Sequence, residues 1–363
     1  MSGRYRVPSM SEIEQLPWNG YNVVSTFSGG GGSCLGYRMA GYRVVWANEF
    51  IPAAQETYKA NHKLSFLNCS NIRDITVERV VEESGLDVGE IDIFDGSPPC
   101  ASFSTAGSRE KHWGHEKAYS DTKQRVDDLF FEYVRMVDGL QPKVFVAENV
   151  SGLVKGTAKG VFKEILRAMK GCGYTVSARL LNAKYLGVPQ SRERLIFIGV
   201  RNDLCERYGV KPAHPKPTNK IVTLGEALDG IDYDAPDAIE LEHLFSDKAA
   251  CRVLKKIERN PHKPISGATV MNGSYFNLYR ESMFAPCSTV CQSGNIGTAT
   301  TCHPMRDRPF TIRELKRITS LPDDFVLTGA YGKQWERCGR MVPPLMMKSV
   351  AETIGKEILC KIQ

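Results

Sequence analysis

The chain has 363 residues, 24% of them charged and 42% hydrophobic, with a formal net charge of +6. This is an ordinary globular composition, long enough for one large domain or two smaller ones. It excludes a helical membrane protein, because no apolar run nears the ~20 residues that span a bilayer, and its mild basicity permits a polyanionic partner without demanding one.

Residues 1–20 read as an N-terminal extension without the apolar core of a signal peptide. An intracellular protein is expected, with its 11 cysteines reduced. Cys287, Cys291 and the Cys302-His303 pair match no common zinc spacing, so no metal is expected. "YNVVSTF" is rich in β-branched residues and reads as a buried strand. It runs into "SGGGGSCLGYRMAGY", a glycine turn with a helix starting near Ser33. "RVVWANEF" is a second strand and "IPAAQETYKANH" a second helix. "TVERVVEES" reads as a helix and "IDIFDGS" as a strand. A polar segment from Ala101 to Arg125 follows, and a segment that long inside a compact domain is usually functional. "VDDLFFEYVRMVDGL" has helical periodicity, "KVFVAENV" is a strand, "VFKEILRAMKGCGY" a helix and "RLIFIGV" a further strand.

Strands alternating with helices imply an α/β fold, a parallel sheet with helices on both faces. Such sheets bind ligands beyond the carboxyl ends of their strands. Gly29 to Gly32, Glu49, Cys100 and Glu148 all fall at such ends. After Arg201 the alternation fades. Prolines cluster in "VKPAHPKPTN", residues 226–247 are acidic, and residues 248–263 are strongly basic and partly helical. The expected organisation is a main domain over 21–200 and a smaller domain with a connecting segment over 201–335. A last amphipathic stretch within 336–363, "LMMKSVAETIGKEILCKI", would return to the main domain.

Four groups at the strand ends carry possible chemistry. The glycines after Phe27 allow a tight turn and close approach of a ligand, and the helix beyond offers free N–H groups. Glu49, ~20 residues on, could accept from ribose hydroxyls. The pair fits any nucleoside cofactor, dinucleotides and S-adenosylmethionine included; a bare glycine turn is the alternative. Cys100, behind Pro98 and Pro99, is either a nucleophile in thiolate form or an inert half-buried thiol. Glu148 is either a partly desolvated carboxyl suited to proton delivery or a solvated neighbour of a capping Asn149. Arg192 and Arg194 should point the same way at period two. They would hold a carboxylate, a phosphate or the loop of Cys100, unless they are a surface pair.

In order, "FSGGGGS", "NEF", "PPCASFSTAG", "ENVSGL", "QSRERLIFIGV" and the late "VPP" resemble the motifs of DNA cytosine-5 methyltransferases of the prokaryotic and phage type. The resemblance runs from about Tyr21 to the C-terminus. It implies a Rossmann-like S-adenosylmethionine-dependent methyltransferase sheet plus a small target-recognition domain. It makes Cys100 the nucleophile on C6 of cytosine and has Glu148 hold N3 and the exocyclic amine, with Arg194 and Arg192 orienting the site. Phe27, Gly29, Gly31, Gly32, Glu49, Phe50, Asn71, Ile72, Pro99, Leu129 and Val342 would contact the cofactor. Residues 101–125 would be a loop closing over double-stranded DNA, from which the target base is flipped out; the basic stretch 248–263 is a candidate for backbone contact.

A cytoplasmic monomer of a bacterial or phage-infected cell is expected, with a cognate restriction enzyme as a possible companion. Three positions depart from the pattern: Ala101 stands where glutamine is usual, Asn71 where aspartate is, and Arg340 where asparagine is. A tRNA methyltransferase would carry the same motifs. A catalytically silent nucleic-acid-binding regulator is the reading from another class. A NAD-dependent oxidoreductase has no use for Pro-Pro-Cys and Glu-Asn together.

Overall fold

A computed structural model describes residues 5–99, 117–119, 122–124, 128–154, 159–294 and 301–362. Cys100 and Ala101 lie outside the described residues, as does the 101–125 segment apart from two short strands. The described part divides into two compact units.

The first unit comprises residues 15–181, 193–216 and 347–363. Its strands are β1 (Asn22–Thr26), β2 (Arg43–Asn48), β3 (Phe66–Asn68), β4 (Ile93–Gly96), β5 (Lys117–Tyr119), β6 (Thr122–Gln124), β7 (Val144–Val150), β8 (Tyr174–Asn182) and β9 (Glu193–Arg201). Seven of them form one sheet in the order β3-β2-β1-β4-β7-β9-β8, while β5 and β6 make a separate antiparallel pair. β1, β2, β3, β4 and β7 pair in parallel, as the alternating pattern implies. β9 does not: it runs antiparallel to β7, from Val144↔Val200 to Val150↔Arg194. The expectation of a wholly parallel sheet is corrected here. After β8 the chain turns back through residues 183–192 with only a short 3-10 turn. Without a crossover helix the next strand cannot re-enter in the same direction, so β9 inserts between β7 and β8 reversed.

The helices of this unit include α2 (Gly32–Met39), α3 (Pro52–Asn61), α4 (Val77–Ser84), α5 (Leu129–Leu140) and α6 (Lys159–Gly171), preceded in the chain by the short α1 (Met10–Glu14) of the other unit. Thr76 caps α4 by accepting from the Arg79 N–H at 3.2 Å, and Gly85 ends it in the left-handed region at φ 69°. α5 lays Phe130, Tyr133 and Val137 over the sheet against Phe94, Phe145 and Phe197. Each such burial is worth roughly 1.5–3 kcal/mol. The Tyr133 hydroxyl donates to the carbonyls of Phe94 and Val146 at 3.1 and 2.9 Å, which stitches β4 to β7. Helix α7 (Asn202–Tyr208) follows β9, and near the C-terminus the Ala351 carbonyl accepts from the Tyr42 hydroxyl at 2.9 Å.

The second unit comprises residues 1–14, 182–192 and 217–346. It contains α8 (Leu224–Leu228), α9 (Pro236–Ser246), α10 (Ala249–Leu254), a three-stranded sheet of β10 (Ile265–Ser266), β11 (Tyr279–Arg280) and β12 (Thr301–Cys302), then α11 (Ile312–Ile318) and α12 (Tyr331–Arg340). Its small core joins Phe245, Leu254, Leu278 and Cys302. Two of its buried arginines are paired. Arg280 meets Asp307 at 2.6 Å, and both terminal nitrogens of Arg308 meet Glu314 at 2.9 Å. Glu314 is also the acid of a capping box with Thr311. Helix α13 (Pro344–Glu357) begins in this unit and continues in the first.

Candidate active site

The turn between β1 and α2 is built from backbone that only a few residue types adopt. Phe27, Gly29 and Gly31 have φ of 52°, 58° and 90°. Glu49, just past β2, holds this turn from the next strand. Its Oε2 accepts from the Gly29 N–H and its Oε1 from the Ile51 N–H, both at 2.7 Å. A carboxylate has about four acceptor positions, so anchoring the turn is compatible with accepting a ligand hydroxyl.

Gly31 is required for a second reason. A Cβ there would lie 2.1 Å from Nε2 of His62. His62 is buried and stacks on Tyr58 with ring centroids 4.4 Å apart. Burial, reinforced by Arg38, pushes its pKa down to about 3, so the imidazole is neutral. Gly31→Ala should destabilise the protein by roughly 1–3 kcal/mol through overpacking and weaken cofactor binding. A lowered denaturant midpoint with unchanged slope would verify the first effect.

The next candidates sit on a wall of the same unit. Asn71 caps a 3-10 turn (Ile72–Asp74), its Oδ1 accepting from the Arg73 N–H at 3.2 Å. Arg73 reaches Asp128, beside Leu129, at 2.5 Å, and Arg135 donates to the Ile72 carbonyl at 2.9 Å. The structure therefore ties the Asn71-Ile72 and Leu129 positions together. Ile72 and Leu129 are buried, while Phe27, Phe50 and Pro99 are half-buried. Val342 is buried in the other unit.

Beyond β4 the chain runs through Ser97, Pro98 and Pro99 toward Cys100. Asn149 of β7 donates from Nδ2 to the Pro98 carbonyl at 3.2 Å, so the two strand ends are fastened side by side. Next to it, Glu148 Oε1 lies 2.6 Å from Arg194 Nε, with side-chain exposures of 12% and 13%. β7–β9 pairing sets this contact, since Val150 is opposite Arg194. A guanidinium holding a nearly buried carboxylate makes a charge-assisted, oriented group on β7, the strand that lies beside the one leading to Cys100.

Arg192 is placed elsewhere. It precedes β9, so strand alternation does not extend to it. Its Nη1 and Nη2 donate to the carbonyls of Val290 and Gly339, at 3.0 and 2.7 Å, inside the second unit. The period-two expectation for Arg192 and Arg194 is corrected accordingly. Arg340 pairs with Glu336 at 2.8 Å, one turn back on α12.

Two residues of this region carry little or no signal in the sequence. His62 shows nothing beyond a histidine at a helix end. Asp95 does show one, an acid inside the apolar strand "IDIFDGS".

Residues 21–356 match the C-5 cytosine-specific DNA methylase family. The chain is 32% identical over 348 residues to the type II methyltransferase M.NgoFVII of Neisseria gonorrhoeae, covering 92% of this chain and 86% of that one. It is also 32% identical over 364 residues to M.PspPI of a Psychrobacter species, covering 96% and 81%. Among solved structures, Spodoptera frugiperda DNMT2 superposes with a TM-score of 0.66 at 16% identity, over 93% of this chain and 100% of that one, a likeness of fold alone.

Proposed function

We propose that this chain, which belongs to the C-5 cytosine-specific DNA methylase family, methylates a flipped-out cytosine of duplex DNA within a short sequence, with Cys100 as nucleophile and S-adenosylmethionine as methyl donor. The observation that carries the proposal is the Glu148–Arg194 pair, fixed beside the strand end that delivers Cys100 by the Asn149 bond to Pro98. The cofactor fits the turn at Gly29 to Gly32. An added Cβ at Gly29 meets open space, whereas Gly31 lies directly on His62. Glu49, Phe50, Asn71, Ile72, Pro99 and Leu129 would hold the nucleoside and Phe27 its turn-side face. Bound there, the cofactor supplies an electrophilic methyl group on a sulfonium.

The residues divide the work as follows. Carbon 5 of cytosine is a poor nucleophile until C6 is saturated, so the Cys100 thiolate adds to C6 and splits one hard step into easier ones. Glu148 holds N3 and the 4-amino group as charge builds in the ring, and Arg194 keeps Glu148 aimed. After C5 has gained its methyl group, a base removes the C5 proton and Cys100 departs from C6. The second unit, with the basic residues of 248–263, would read and grip the DNA. The protein would act as a cytoplasmic monomer, with or without a cognate restriction enzyme. Among the described residues no helix is long and apolar enough to cross a membrane.

Bisulfite sequencing of plasmid DNA incubated with the purified protein and S-adenosylmethionine tests this. Protected cytosines at one recurring short sequence are the expected outcome. Methylation of tRNA but not of the plasmid would favour the tRNA reading instead.

A further inference from the structure

Beneath the glycine turn lies a carboxyl group that the reaction does not use. Asp95, on β4, is buried at 1% exposure. Its Oδ2 accepts from the hydroxyls of Ser25 on β1 at 3.1 Å and Ser33 on α2 at 2.9 Å, and its Oδ1 from the Tyr37 hydroxyl at 3.1 Å. The network reaches the turn itself, because Ser28 donates from Oγ to Ser25 Oγ at 3.0 Å. Ser28 and Ser33 bracket Gly29 to Gly32. In the other direction, Asp95 is five residues ahead of Cys100. One buried group therefore touches both the strand that opens into the glycine turn and the first turns of the helix behind it, and lies on the strand that leads to Cys100.

We propose that Asp95 is a positioning residue whose ionised form holds the glycine turn in its cofactor-binding shape, at the expense of folding stability. This rests on the cofactor reading above. The chemistry is one of matching donors to acceptors. An ionised carboxylate only accepts, and three hydroxyl donors converge on it. Protonation turns one acceptor position into a donor and weakens the remaining oxygens as acceptors, so the hydroxyl bonds to Asp95 loosen, and Ser33 and Ser25 are the ones coupled to the turn.

Among the described residues, the groups acting most strongly on Asp95 include no cation. Glu148 on β7 has the same sign, and Tyr37, Cys34 and Tyr133 are neutral neighbours. Burial pushes the Asp95 pKa up to about 6, opposed by the hydrogen bonds from Ser33, Ser25 and Tyr37. The folded pKa is thus above the unfolded value of 3.8. Charge on Asp95 costs nothing below 3.8, and the penalty on the fold grows as pH rises through 6 and is complete above it.

Two readouts test the inference in the full-length protein: titration with S-adenosylhomocysteine between pH 5 and 8, and thermal unfolding without ligand. The wild type should bind about tenfold more weakly at pH 5 than at pH 8, with a midpoint near 6. Asp95→Asn should bind weakly at every pH, with a flat profile, yet melt at a higher temperature than wild type at pH 8, the gain shrinking at pH 4. Tyr37→Phe and Ser33→Ala each remove a donor to the charged form and should move the binding midpoint upward. A wild-type binding profile in Asp95→Asn, or a melting temperature lowered at pH 8, would overturn the inference. If the wild type failed to bind at any pH, the cofactor reading would fall, and the melting comparison alone would decide the role of Asp95.

Discussion

Cys100→Ser is expected to abolish methyl transfer while DNA and cofactor binding persist. The reason is electronic rather than steric. A thiol ionises within reach of neutral pH and its thiolate is strongly nucleophilic. A serine hydroxyl, with its far higher pKa, remains protonated and is a weak nucleophile. The loss should be roughly 10³-fold or more in single-turnover rate, the scale seen when a covalent nucleophile is removed. A DNA duplex carrying 5-fluorocytosine at the target adds an independent check. Fluorine cannot leave C5 as the proton does, so the wild type should accumulate a covalent protein–DNA adduct and Cys100→Ser should form none. Near-normal turnover by the serine variant, or an adduct formed without Cys100, would remove Cys100 from the mechanism.

The second large effect belongs to the pair on β7 and β9. Glu148→Gln preserves size and much of the hydrogen bonding but removes the carboxyl group that can take up a proton and pass it to N3. The chemical step should slow by about 10²–10⁴-fold, the usual worth of a positioned acid or base. Arg194→Ala acts on the same carboxylate from the other side. Removing one partner of a buried ion pair costs roughly 3–5 kcal/mol, and this pair, slightly exposed at 12% and 13%, should sit at or below the low end. Because both changes act through one contact, the double variant should be little worse than Glu148→Gln alone. Rates measured under single turnover separate this from altered binding. Additive losses would show that Arg194 serves something other than Glu148.

The strand ends are legible in the sequence because they combine two signals that rarely coincide by chance. An apolar β-branched run predicts a strand, and a reactive residue directly after it predicts a ligand-facing end. That logic alone puts Gly29 to Gly32, Glu49, Cys100 and Glu148 at strand ends; in the structure the glycine turn follows β1 and Glu49 follows β2, whereas Glu148 lies within β7 and Cys100 falls outside the described residues. What stays hidden depends on tertiary pairing. The reversed direction of β9 follows from a connection that lacks a helix, and the local sequence "RLIFIGV" is the same for either direction. Arg192 and Arg194 look alike in sequence, yet one lies before the strand and one within it, and that single-residue boundary sends them to different units. His62 bears on the glycine turn through its closeness to Gly31, 31 residues earlier in the chain. Asp95 is visible as an anomaly, but its three hydroxyl partners come from β1 and α2 and have no spacing pattern relative to it.

The interleaving of the two units along the chain has a consequence for the order in which they can be completed. The sheet unit is assembled from residues 15–181, 193–216 and 347–363. Its last segment leaves the ribosome only after the whole 217–346 stretch has been made. Tyr42, at the approach to the second strand, must wait for Ala351, 309 residues later, to receive its hydroxyl. Contacts that distant form slowly because chain closure precedes their reward. A nascent chain ending near residue 216 already holds Glu49, Cys100, Glu148 and Arg194, yet lacks the segment that finishes the sheet unit. Vectorial synthesis thereby delays a competent methyltransferase until the segment proposed to read DNA has also been made.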